Sequence, residues 1–362
     1  MPKEKLFNTI YGELLEQTII PENCSSNEYA TMYQPLNILI NKNMPKRLYR
    51  YRTCNENNFD AFQTNKIFFN TPNNFNDPHD CLVYFDDKKI IHELEPLSMD
   101  HYTKVFKEII TTKVIPDFMK RFLTDEIQDE ALKAIEQSPE ILAERVSEIP
   151  QNIDKILDYS KDEIHRACDI TKKHIKFSSK IACFSRSINE PLMWSYYADS
   201  HKGFSLEYDL TKFRINCNYC EKKFICPQFV SCNIFPIVYT NKRYDATDLA
   251  IAMAKKRIFD QFGVINTNNV IPDRLAFKKA NTYKGICWRH EKEWRMELIC
   301  NKDNMQNWCE YKPEAIYLGC NISKVNRNIL LKFANDNGIQ TYQMDIQLSK
   351  LEFKMKYEKV KF

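Results

Sequence analysis

The chain has 362 residues and a formal net charge of +4, with 43% hydrophobic and 28% charged residues. That composition supports a sizeable core, and 13% aromatics exclude a disordered chain. Only six glycines occur, and there is no GxGxxG fingerprint, P-loop, GxSxG elbow, HExxH or EF-hand loop, which argues against Rossmann and P-loop nucleotide enzymes.

No uncharged apolar run approaches the length of a membrane span. The start, Met-Pro-Lys-Glu-Lys followed by Glu13 and Glu16, has no signal-peptide core. The 13 cysteines therefore read mostly as reduced thiols of a cytoplasmic protein. Charge is uneven: Asp86–Lys173 carries a net −6 and the remainder +10. A basic body suits a phosphate-bearing ligand, although a solvated acidic insert alone produces the same asymmetry.

In chain order, residues 1–44 read as helices. Leu6, Phe7, Ile10, Leu14 and Leu15 recur at helical spacing, Pro21 ends the run, and a second helix covers Asn27–Ile40. A strand at Arg47–Arg52, a short helix at Asn55–Thr64 and a strand at Lys66–Phe69 follow. Asn70–Pro78 is turn chemistry, and Cys81–Phe85 reads as a strand. Residues 90–175 hold no glycine and form an acidic helical insert cut by Pro116, Pro139 and Pro150. Strands are then predicted at Lys180–Ser187, Gly203–Tyr208, Phe235–Thr240, Glu291–Cys300, Ala315–Leu318, Gln340–Asp345 and Leu351–Tyr357. Helices are predicted at Pro191–Ser200, Thr247–Gln261, Arg274–Lys284 and Ser323–Asn337, the last closed by Gly338. Strands and helices mix without βαβ regularity. The fold class is therefore α+β, a mixed and largely antiparallel sheet with a helical insert. Residues 45–89 and 176–362 form the body.

Three strands carry unusual polar residues. In Tyr49-Arg50-Tyr51-Arg52, alternation puts both arginines on one face and both tyrosines on the other. In Cys183–Ser187, Ser185 and Ser187 share a face. In Glu291–Arg295, Glu291, Glu293 and Arg295 share a face, and two like carboxylates side by side call for a cation or ligand between them. A charged, solvated edge strand is the plain alternative. Asn76 and Asp77 occupy a tight turn. Met193–Ala198 with His201 and Gly203 is an aromatic helix turning into a strand; Trp194 and Tyr197 suit a core, and His201 suits a phosphate or a structural hydrogen bond. Cys217, Cys220, Cys226 and Cys232 fit one zinc knuckle with irregular second spacing, so a structural zinc and four free thiols both remain open. Basic runs at Lys255–Arg257, Lys278–Lys279 and Lys350–Lys361 give modest support for nucleic-acid binding.

These motifs resemble a known family. Tyr51-Arg52, Phe75–Cys81, Phe184-Ser185, Met193–Gly203 with Asp209, and Trp288–Arg295 are similar to a bacterial family known only as domain of unknown function 2971. Two positions depart from its pattern: His79 replaces an aromatic, and Tyr196 often corresponds to His. A weaker likeness, an early Arg, a central Ser-x-Ser and a late Glu-x-Glu, is to the R-S-E class of ADP-ribosyltransferases, which implies a split-sheet architecture and NAD as ligand. Carried over, Arg52 or Arg50 holds phosphate, Ser185 supports the catalytic Glu293, and Glu291 serves the acceptor. Asn76, Trp194, Tyr197, His201 and Arg295 are the remaining candidate cofactor contacts. The acceptor is protein or nucleic acid, NAD hydrolysis is the other outcome, no membrane partner is expected, and phage defence or toxin biology is the implied setting. Two alternatives stay open. One is a metal-dependent nuclease or hydrolase gathering Asp77, Asp80, Glu291 and Glu293 around Mg²⁺. The other is a non-catalytic binding module with a structural ion-pair network.

Overall fold

The computed structural model describes residues 3–115, 125–137, 153–212, 234–262, 272–298, 307–349, 351 and 353–360. The chain opens with α1 (Lys3–Gln17) and α2 (Ser26–Asn43). A capping box between Ser25 and Glu28 starts α2. Strand β1 (Leu48–Arg52), helix α3 (Glu56–Gln63, capped by Asn55) and β2 (Lys66–Phe68) follow. Then come the insert helices α4 (Asp87–Thr112), α5 (Asp125–Gln137) and α6 (Ile153–Ser178). Beyond them lie β3 (Lys180–Ser185), α7 (Pro191–Tyr197), β4 (Phe204–Tyr208), β5 (Ile234–Pro236) and β6 (Val238–Thr240). Next are α8 (Thr247–Phe262), α9 (Ala276–Ala280), β7 (Tyr283–Gly285) and β8 (Glu293–Leu298). The chain closes with β9 (Trp308–Glu310), β10 (Ala315–Leu318), α10 (Lys324–Asp336), β11 (Gln340–Ile346) and β12 (Met355–Lys359).

The main sheet has eight strands in the order β12-β11-β10-β4-β1-β3-β8-β5. Every pairing in it is antiparallel except β10–β11, where α10 supplies the crossover that parallel strands need. The expected α+β class with a largely antiparallel sheet is what the chain forms. On one face, Tyr11 and Leu15 of α1, Leu36 and Ile40 of α2, and Leu330 of α10 pack on Phe184, Phe204, Leu206, Ile316 and Met296. On the other face, Tyr49, Tyr51, Ala315 and Tyr317 meet Met193 and Trp194 of α7. The insert is tied to the body. Ile90 of α4 and Ala167 and Cys168 of α6 pack against Ala250, Ile251 and Ala254 of α8.

The sheet is split in the middle. β1 pairs β4 over five residues and β3 pairs β8 over six, yet β1 and β3 meet only at Tyr49 opposite Ser185. Beyond that point the free edge of β3 is taken by Asn70, which exchanges two hydrogen bonds with Ile181 at 2.9 and 2.8 Å.

Several expected elements take another form. Cys81–Phe85 is not a strand: Cys81 lies in the left-handed region at φ 56°, and the segment makes a single bridge, Tyr84 to Asp245. Cys81 and Val83 alternate inward beneath α6 and α8, which gives strand-like patterning without a ladder. Phe235–Thr240 breaks into β5 and β6, which join different sheets. Arg274–Lys284 holds only the short α9 before the chain straightens into β7. Glu291 ends a 3₁₀ turn (Ile286–Glu291), and Lys292 in the left-handed region at φ 46° separates it from β8.

Candidate functional site

A cavity of about 750 Å³ opens at the split, within the size range of small-molecule sites. Its lining includes Tyr49–Arg52 of β1, Asp60 and its neighbours on α3, Phe68–Asn70 with Asn74–Asn76 and Asp80, Cys183–Ser185 of β3, Met193, Tyr196 and Tyr197 of α7, and Lys284, Glu291 and Glu293.

The two arginines leave β1 on the face opposite Ser185 and Glu293, because Tyr49 stands opposite Ser185 and Ser185 opposite Glu293 in register. The split lets both sets line one cavity. Arg50 is only 8% exposed. Its guanidinium donates to the Phe68 carbonyl, its Nε has no partner, and no carboxylate among the described residues pairs with it. Burial pushes it below its ordinary pKa. Arg52 is half-buried and donates to the Tyr51 carbonyl at 3.0 Å.

The opposite wall is a buried ionic cluster. Arg295 is fully buried. Its Nη2 donates to both Asp80 oxygens at 2.8 and 2.6 Å, its Nε to Glu293 Oε1 at 2.8 Å, and its Nη1 to the Asn281 carbonyl at 2.8 Å. Lys284 Nζ contacts Glu291 Oε2 at 2.5 Å, Glu293 Oε2 at 2.9 Å and Asp80 Oδ2 at 3.3 Å. Two cations thus face three carboxylates. Burial and the neighbouring Glu293 push the Glu291 carboxyl up to about 7, against the pull of Lys284. Burial also opposes ionisation of Glu293, but Arg295 and Lys284 outweigh it and hold that carboxyl well below the usual range. Burial disfavours the Lys284 ammonium, yet Glu293, Asp80 and Glu291 together hold its pKa above the ordinary value.

The remaining contacts are ordered from the cavity inward. The Tyr197 hydroxyl donates to Glu291 Oε1 at 2.5 Å and accepts from Asn76 Nδ2 at 3.2 Å. Ser185 Oγ donates to the Glu291 backbone carbonyl at 2.7 Å, and its oxygen accepts from the Ser187 amide. It therefore supports the backbone of Glu291, while the Glu293 carboxylate rests on Lys284 and Arg295.

The structure brings Arg50, Arg52, Ser185, Asn76, Tyr197, Glu291 and Glu293 to one cavity, with Arg295 directly behind it. Trp194 and His201 lie elsewhere. Trp194 is fully buried, donates to the Ile188 carbonyl at 2.8 Å and packs edge-on to Tyr51. His201 stacks on Trp194 and contacts Ser195 Oγ at 3.2 Å in a turn where Asp199, Ser200 and His201 all have positive φ. Both serve the turn that leads into β4. Cys217, Cys220, Cys226 and Cys232 lie outside the described residues. Lys278 and Lys279 do not form a basic surface: both are buried, Lys279 on Asp273 at 2.6 Å and Lys278 over Phe235.

Sequence reasoning missed Lys284. It falls in a stretch that reads as the end of a helix, and nothing in its neighbours signals an ionic role. Asp80 entered only as a possible metal ligand, since its arginine lies 215 residues away.

Over residues 193–296 the chain matches the family model described as a protein of unknown function (DUF2971). This meets the family resemblance read from the motifs, and the matched stretch contains Tyr197, Lys284, Glu291, Glu293 and Arg295. Comparison with curated proteins and with solved structures finds no match. No helix among the described residues is long and apolar enough to cross a membrane.

Proposed function

We propose that the cleft binds a phosphate-bearing nucleotide, NAD foremost, and that the chain is an ADP-ribosyltransferase-like enzyme that transfers ADP-ribose to protein or nucleic acid, or hydrolyses NAD. One observation carries this reading: an arginine that is buried and has no carboxylate partner among the described residues lines the same cavity as a pair of buried carboxylates. An unpaired buried cation is costly, and an anionic ligand offsets that cost. Arg50, with its free Nε, and Arg52 would hold the pyrophosphate through charge-assisted hydrogen bonds. Breaking the nicotinamide–ribose bond sends its electron pair to nicotinamide and leaves positive charge on the ribose. The carboxylates on the far wall stabilise that charge. Water or an acceptor hydroxyl then bonds to the ribose carbon and gives its proton to a carboxylate. Eight described cysteines are free thiols, in keeping with a cytoplasmic enzyme.

The metal-hydrolase alternative is less well supported. Its four carboxylates do not converge: Asp77 binds the His79 amide and ring, and the centre between Asp80, Glu291 and Glu293 is filled by Lys284 and Arg295. A non-catalytic module that binds the same ligand shares every feature of the cleft and is separated by turnover.

The test is nicotinamide release by the purified protein, with binding followed by calorimetry. Wild type is expected to bind NAD and release nicotinamide, Arg50→Met to lose affinity by about tenfold or more, and Glu291→Gln to bind without turnover. Binding without turnover in wild type would leave the binding module. Neither binding nor turnover would end the NAD reading.

A further inference from the structure

Two carboxyl groups two residues apart enter one cavity, and they are held differently. Both oxygens of Glu293 are bound by cations: Oε1 by Arg295 Nε at 2.8 Å, Oε2 by Lys284 Nζ at 2.9 Å. Its backbone amide is fixed by the Tyr239 hydroxyl at 2.7 Å. Glu291 shares Lys284 through Oε2 and presents Oε1 to Tyr197, a side chain that itself lines the cavity. Moving a proton onto Glu293 would break two buried ion pairs. Moving one onto Glu291 relieves the repulsion between the two carboxylates and leaves Lys284 with Glu293 and Asp80.

We infer that Lys284 is the positioning residue that divides the work between the pair: with Arg295 it keeps Glu293 as a permanent anion, and it leaves Glu291, capped by Tyr197, as the group that takes up and releases the proton. This assignment of roles rests on the proposed function, where the proton comes from the water or acceptor that attacks the ribose. The groups facing Glu291 are Lys284 on β7, Glu293 on β8, Tyr197 on α7 and Tyr239 on β6, with Asn76 on the Tyr197 hydroxyl, Arg295 behind Glu293 and Asp80 behind Lys284. Burial and Glu293 raise the Glu291 carboxyl toward neutrality, where a proton acceptor works best. Lys284 lines the cavity beside these carboxyls, and its Nζ is engaged by Glu291, Glu293 and Asp80. It acts through them.

The experiment follows the side-chain carboxyl carbons of the full-length protein, labelled at glutamate, by NMR between pH 4 and 9. Wild type is expected to show a glutamate titrating near pH 7 that vanishes in Glu291→Gln, while no signal lost in Glu293→Gln titrates above pH 5. Lys284→Met removes an attractive cation, so the Glu291 midpoint is expected to rise by at least half a pH unit. Lys284→Gln, which keeps a hydrogen-bond donor, stands in if Lys284→Met does not fold. A neutral-range titration that survives Glu291→Gln and is lost in Glu293→Gln would overturn the assignment. So would a Glu291 midpoint indifferent to Lys284, or one below pH 5. These readouts need no turnover. Absence of nicotinamide release ends the NAD reading while the titration still judges Lys284. Where turnover is present, its rate in the wild type is expected to rise as pH passes through the Glu291 midpoint, and Glu291→Gln is expected to lose turnover and keep NAD affinity.

Discussion

Arg50 shows how one side chain can be adverse to the fold and useful to a site. Its stem is buried beside Phe184, with the guanidinium 5.7 Å from that ring, and the Phe68 carbonyl is its one described hydrogen-bond acceptor. Replacing a poorly compensated buried charge by an apolar side chain of similar length is often neutral or stabilising. Without ligand, Arg50→Met is therefore expected to melt at or above the wild-type temperature, by up to about 1 kcal/mol in stability, although anion affinity falls. A large loss of stability would mean that Arg50 is structural. The opposite holds for Arg295. Removing it leaves Asp80 and Glu293 buried with only Lys284, and Arg295→Met is expected to cost about 3–5 kcal/mol, read by denaturant titration.

At the scale of elements, the cavity depends on how closely three backbones approach. β1 and β4 pair along their length, and the turn after α7 is pressed between them and β10. A Cβ on Gly203 would lie 2.1 Å from the Arg52 carbonyl, and one on Gly319 would lie 2.1 Å from the His201 carbonyl. Those contacts are backbone and cannot step aside cheaply. Gly203→Ala is thus expected to lower the melting temperature by about 5 °C or more and to weaken NAD binding by displacing Arg52. Gly285→Ala, next to Lys284, meets the Cys287 sulfur at 3.5 Å and the Trp288 ring at 3.8 Å, both ordinary contacts, and serves as a control with little change. Placement of Glu291 is also an element-level effect. The left-handed Lys292 re-aims the chain between the 3₁₀ turn and β8, and Ser185 fixes that turn through the Glu291 carbonyl.

For the whole molecule, the two glutamates oppose one another in their effect on stability. The Glu291 carboxyl is raised from 4.5 to about 7 on folding, so the folded chain binds its proton more tightly than the unfolded chain. That contribution is complete below pH 4.5 and is lost as pH rises toward 7. A shift of this size corresponds to on the order of 3 kcal/mol. Glu293 is lowered by Arg295 and Lys284, so its contribution is present above the unfolded carboxylate value and is lost as pH falls through its folded one. Stability measured by denaturant is expected to decline between pH 5 and 7, and that decline should flatten in Glu291→Gln. A slope equal to wild type in the variant would remove Glu291 as its source. Whether Cys217, Cys220, Cys226 and Cys232 hold a structural zinc or are four free thiols is decided by metal content: one zinc per intact chain, lost in Cys220→Ser, or none.

Local chemistry by itself determined most elements of this chain. The β10 strand Ala315–Leu318, the capped α10 with Gly338 after it, and the alternation in β1 that separates Arg50 and Arg52 from Tyr49 and Tyr51 all follow from periodicity, caps and the two-residue repeat of a strand. Family motifs also marked Glu291, Glu293 and Ser185 as residues worth placing together. Tertiary structure alone decided what those residues face. The split between β1 and β3 is a failure of pairing, and a missing ladder leaves no mark in either strand's own sequence. The Arg295–Asp80 contact spans 215 positions, and Lys284 reaches its three carboxylates only because α9 stops early and β7 turns it inward. Long-range ion pairs form where burial makes unpaired charge costly, and burial is a property of the assembled layers rather than of any one segment.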